Sequence, residues 1–81
     1  MRLVRELSHP DCKITIFSWN NRYLIKLEQG FFEQTFKVPE TDVSGEDELI
    51  AMLDAEFLHQ AAVRFRSMGQ SLHEARERSG L

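Results

Sequence analysis

With 81 residues, 42% hydrophobic and 28% charged, the chain has the composition of one small globular domain and not that of a disordered or membrane-embedded one. A domain of this length buries only about 60 to 65% of its unfolded surface, so its core is thin and a second copy is a common way to supplement it. The formal net charge of −3 argues against a general nucleic-acid binder, though not against a local basic patch, and a single cysteine, Cys12, excludes an intramolecular disulfide or a thiolate cluster for zinc.

The N-terminal MRLVRELSHPD lacks the apolar run of a signal peptide, and no later run reaches the length of a membrane-spanning helix. With Cys12 alone, a reducing cytoplasm is the expected location. Residues 2–7, RLVREL, fit a strand or a short helix. The exit Ser8-His9-Pro10-Asp11 favours the strand, because proline pushes His9 out of the helical region and the flanking residues form turns. A pairing of Leu7 with Cys12 would set Leu3 opposite Ile16, with both leucines on one face.

The stretch from Lys13 to Val38 predicts a β-meander. Asn20-Asn21 suits a two-residue type I′ turn, since asparagine tolerates positive φ at both central positions. The turn pairs Ile14 with Leu27, Ile16 with Ile25 and Ser18 with Tyr23 on one face. On the other face it pairs Lys13 with Glu28, Thr15 with Lys26, Phe17 with Leu24 and Trp19 with Arg22. A slip of one residue would mix the faces. Gln29-Gly30 marks the next reversal, with Phe32, Gln34, Phe36 and Val38 turned to the core. In that register Leu27 meets Phe32, Tyr23 meets Phe36 and Lys26 meets Glu33. Pro39 ends the ladder.

A connector comes next. Ser44 is then the expected N-cap, with Asp47 at the third helical position and Glu46 and Glu48 on the positive end of the helix dipole. Leu49, Ile50, Leu53, Phe57, Ala61, Phe65 and Met68 recur at helical spacing and predict one long helix over the sheet. The expected fold is α+β, a single domain over 1–81. Three to four antiparallel strands (about 2–7, 13–19, 22–28, 32–38) are covered on one face by a C-terminal helix (about 45–68) that extends or restarts, through a capping box at Ser71 to Glu74, to 78.

No catalytic, metal or cofactor signature emerges. His9, Asp11 and Cys12 are donor types suited to zinc, but a proline-bounded turn explains the first two and core packing the third. Glu56 and His59 share the spacing of di-iron helices, yet no second long helix supplies further carboxylates. His73-Glu74 lacks the second histidine of a zinc-protease helix. The serines have no glycine-flanked elbow, and Gly30, Gly45, Gly69 and Gly80 build no phosphate loop.

The surplus is apolar surface. Phe17, Trp19, Leu24, Phe31 and Val4 are expected on the uncovered side of the sheet, and Met52, Val63, Leu58 and Ala62 off the main helical stripe. A monomer seldom exposes so much. One way to hide it is for the C-terminal segment to fold back, with Leu72 and Ala75 over one of these surfaces. The preferred reading is a non-enzymatic interaction module that self-associates, most simply as a homodimer, through Phe17, Trp19, Leu24, Phe31, Met52 and Val63. Single-stranded nucleic acid stacking on Phe17 and Trp19 beside Lys13, Arg22, Lys26 and Lys37 is the alternative, opposed by Glu28 and Glu33. An enzyme with Tyr23, Glu56 and His59 in a sheet–helix or dimer cleft is the weakest reading.

Overall fold

The computed structural model describes residues 1–80, and Leu81 lies outside the described residues. Four antiparallel strands, β1 (Arg2–His9), β2 (Cys12–Trp19), β3 (Arg22–Gln29) and β4 (Phe32–Pro39), lie side by side in chain order. A 3-10 turn at Glu40–Asp42 leads to a short helix α1 (Glu46–Ala51) and a long helix α2 (Ala55–Ser79). This is the α+β meander that the hydrophobic alternation predicts.

The β2–β3 pairing is residue for residue the expected one, from Lys13 opposite Glu28 to Trp19 opposite Arg22. Its cause is the turn: Asn20 and Asn21 have φ of 50° and 61°, the positive values that a type I′ reversal needs. Two other pairings depart from expectation. The β3–β4 turn is Gly30-Phe31 rather than Gln29-Gly30, so Gln29 faces Phe32, Leu27 faces Gln34, Ile25 faces Phe36 and Tyr23 faces Val38. Only Gly30 has a positive φ, at 60°, which is the type II′ pattern with glycine first. The register moves by two residues, so parity holds and the core face is unchanged. Lys26 now lies diagonal to Glu33 and still reaches it at 3.4 Å.

In β1, Leu7 faces Ile14 and His9 faces Cys12, and a bulge between Leu3 and Arg5 shifts the ladder. One extra residue on β1 reverses the alternation beyond it. Leu3 therefore stands opposite Phe17 and is exposed, while Val4 packs against the core. Both assignments invert the expected ones.

The core lies between the sheet and the helices: Ile14, Ile16, Ile25 and Leu27 below, Leu49, Leu58, Ala61 and Phe65 above, with Phe32, Phe36, Phe57 and Met68 at its margin. Phe36 and Phe57 meet edge to face at a centroid distance of 5.2 Å. The expected single helix is broken. Asp54 is extended at φ −83° and ψ 179°, and its side chain accepts the Phe57 N–H at 2.9 Å, capping α2. The break re-phases the residues after it and carries Leu58 into the core. Gly45, not Ser44, is the N-cap of α1, and the Ser44 hydroxyl instead donates to the Glu48 carboxylate.

Gln34 is the polar residue on the core face that ties the layers together. Its Nε2 donates to the Ala61 carbonyl at 2.9 Å, and its Oε1 accepts from Arg64 Nε at 2.8 Å. The Arg64 guanidinium also sits 5.8 Å from the Phe36 ring centroid. At Gly69, α2 passes close above Phe32, where an added Cβ would lie 3.7 Å from the ring. The helix does not restart at Ser71. It continues to Ser79 and overhangs the sheet, with Leu72 exposed rather than folded back over another surface.

Phe65→Ala removes a ring that is almost wholly buried and is expected to cost about 3 to 5 kcal/mol, against about 1 kcal/mol for loss of the cap in Asp54→Ala. Urea unfolding measures both. Equal effects would contradict the division between core and cap.

Candidate interaction surface

The side of the sheet away from the helices is built by the odd-numbered residues of β2 and the even-numbered residues of β3, because successive side chains alternate across a strand. Phe17 sits at its centre, with Leu3 across on β1 and Leu24 across on β3. Leu24 in turn has Lys37 across on β4. Hemmed in by these neighbours, Leu24 is only 9% exposed and Phe17 is half-buried. Thr15, between Glu6 and Lys26, is buried as well. The exposed apolar surface of this face therefore belongs to Leu3 and Trp19, which are 52% and 45% exposed. Sequence alternation misses Leu3, because a backbone bulge leaves no residue-type signal.

The remaining candidates fall elsewhere. Phe31 occupies the second turn position between β3 and β4 and is fully exposed. Met52 lies in the break between α1 and α2, and Val63 lies on α2. Leu58, Ala61 and Phe65 are the buried residues of that helix, and at 100° per residue Val63 projects from the opposite side. Phe17, Trp19 and Leu24 thus form one surface with Leu3, while Phe31, Met52 and Val63 do not join it.

Charge divides the outer face. At the end near Phe31, Lys26 bridges two carboxylates, Glu33 at 3.4 Å and Glu28 at 4.0 Å, and so offsets the like-charged Glu28 and Glu33 that face each other across the strands. At the opposite end Arg22 and Lys37 flank Trp19 and Leu24 and, among the described residues, enter no ion pair. A shallow concavity of about 380 Å³ opens beside them, lined by Asn20, Asn21, Arg22, Lys37, Pro39 and Thr41. The segment 40–56 has the opposite character, with seven acidic residues (Glu40, Asp42, Glu46, Asp47, Glu48, Asp54, Glu56) and no Lys or Arg.

Of the candidate metal and catalytic residues, His9, Asp11, Glu56 and His73 have local partners. His9 Nδ1 accepts the Asp11 N–H at 3.2 Å, and the Asp11 carbonyl accepts from Gln29 Nε2 at 2.7 Å, so both help to close adjoining turns. Glu56 accepts from Gln60, not His59, and His73 lies 2.8 Å from Glu77. Among the described residues no three His, Cys, Asp or Glu side chains converge as metal ligands. No helix among them is long and apolar enough to cross a membrane. The chain matches no family model, no curated protein and no solved structure.

Burial, and secondarily the Asp11 charge, push the Cys12 thiol above its ordinary value. At neutral pH it is the protonated, weakly nucleophilic form. Iodoacetamide is expected to alkylate Cys12 more slowly in the folded chain than in urea. An equal or faster rate in the folded chain would contradict this reading.

Proposed function

We propose that this chain is a non-enzymatic interaction module of the reducing cytoplasm, one that self-associates and that meets a protein partner on its outer sheet face. The observation that carries the reading is the grouping of Leu3, Phe17 and Trp19 with Arg22 and Lys37, two cations that enter no ion pair among the described residues, on the side of the sheet away from the described helices. Tryptophan and arginine are the residues that most often dominate binding energy at protein interfaces, and apolar surface of this kind is uncommon on a free monomer. The chemistry selects a partner segment with apolar side chains beside carboxylates. A thin core supports self-association, since a second copy adds buried surface that a domain of 81 residues cannot supply by itself.

The same Trp19, Arg22 and Lys37 support single-stranded nucleic acid as the second reading, because an aromatic ring beside cations is the stacking platform such strands use. Glu6, Glu28 and Glu33 on the same face weigh against it.

Three measurements separate the readings. Light scattering at micromolar concentration should give a mass above that of the 9.5 kDa chain, and a monomer throughout would remove self-association. A random peptide library displayed on phage should yield acidic, apolar sequences whose binding is lost in Trp19→Asp. Failure to enrich any, or binding indifferent to Trp19→Asp, would remove the partner face. Salt-sensitive quenching of Trp19 fluorescence by a mixed oligonucleotide would transfer the face to the nucleic-acid reading.

A further inference from the structure

We propose that the second copy pairs along the free edge of β4, antiparallel about a two-fold axis at Thr35, so that two four-stranded sheets become one sheet of eight. This seam deepens the proposed self-association and rests on it.

The backbone phase of β4 points to the seam. Gln29 and Phe32 flank a two-residue turn and form a hydrogen-bonded pair, as residues in that position do. The alternation then assigns the N–H and C=O groups of Phe32, Gln34, Phe36 and Val38 to β3. The Glu40 N–H continues the series by donating to the Asn21 carbonyl at 3.0 Å. The backbone groups of Glu33, Thr35 and Lys37 therefore point away from β3, and all three residues are exposed. Beyond the strand ladders, no backbone group of theirs takes part in a hydrogen bond among the described residues.

The two sheet edges are not alike. β1 has a bulge between Leu3 and Arg5, a device that interrupts edge pairing. β4 is unbulged over its eight residues and keeps one register from Phe32 to Pro39. Its outward groups form an uninterrupted template for an added strand.

Charge then selects both the occupant and the register. Glu33 and Lys37 lie two residues either side of Thr35. With Thr35 on the axis, Glu33 of each copy faces Lys37 of the other, and the outward backbone groups of all three residues find partners. Registers centred on Glu33 or Lys37 would oppose like charges, which destabilises a strand pair, and registers centred on Gln34 or Phe36 would set Glu33 or Lys37 opposite Thr35 and form no opposite-charge pair. On the helical side the same register sets Phe32 opposite Val38 and Gln34 opposite Phe36. Pairing β4 with β1 of another copy would be head to tail and would meet the bulge between Leu3 and Arg5. The two-fold arrangement closes at two copies and leaves Leu3, Phe17, Trp19 and Arg22 of each copy uncovered, while Lys37 passes from that surface into the seam.

The test is sedimentation equilibrium on the full chain and three variants, with circular dichroism as the check on folding. Thr35→Pro removes an N–H that β3 does not use, so the expected result is a folded monomer. Glu33→Lys and Lys37→Glu should each weaken the dimer by about tenfold or more, since each turns both symmetry-related pairs repulsive, and combining them should restore it. A wild-type dimer that persists in Thr35→Pro, or that Trp19→Asp disrupts instead, overturns the β4 seam while leaving self-association in place. A wild-type monomer overturns both.

Discussion

Asn20 and Asn21 reverse the chain within two residues, at φ values that most side chains avoid. The tightness of that turn leaves β2 and β3 no freedom to slide. Once Trp19 faces Arg22, Ile14, Ile16, Ile25 and Leu27 must share one side and Thr15, Phe17, Leu24 and Lys26 the other. The inner side becomes the floor of the core. The outer side acquires its mixed aromatic and cationic character from the same constraint, so core and candidate surface have one origin.

The helical layer answers to that floor. α1 and α2 are separated at Met52 to Asp54, where Asp54 supplies the acceptor that a new helix start requires. Its placement brings Leu58, Ala61 and Phe65 down together, and Gln34 fixes the helix above β4 through paired hydrogen bonds to Ala61 and Arg64. At 25 residues α2 is about 37 Å long, against about 26 Å for an eight-residue strand. The excess leaves Leu72 beyond the sheet. The helix cannot be shielding the outer face, and that face stays open.

Much of this is legible in the amino-acid sequence alone. The β2–β3 pairs are readable because alternation and turn chemistry agree on one register, and the inward parity of Phe32, Gln34, Phe36 and Val38 because only that parity builds a core. Alternation is blind to a shift of two residues, however, and the choice of Gly30-Phe31 over Gln29-Gly30 depends on backbone geometry that Phe31 does not announce. The bulge in β1 is equally silent, which is why Leu3 and Val4 exchange sides. Asp54 is a readable signal, an aspartate three residues before Phe57, hidden by an apolar stripe that runs through it. At the candidate surface, Phe17, Trp19 and Leu24 are legible as a group. The near-complete burial of Leu24 by Phe17 and Lys37 is not, since it depends on side chains from three strands meeting at once.

The phase of β4 decides which backbone groups hold the sheet together and which remain available at its edge. Amide hydrogen exchange measured residue by residue, in dilute and concentrated solution, tests it directly. The amides of Gln34, Phe36 and Val38 should be protected at both concentrations, while those of Glu33, Thr35 and Lys37 should exchange freely when dilute and become protected when concentrated. Protection of Glu33, Thr35 and Lys37 in dilute solution, or their free exchange at every concentration, would contradict it.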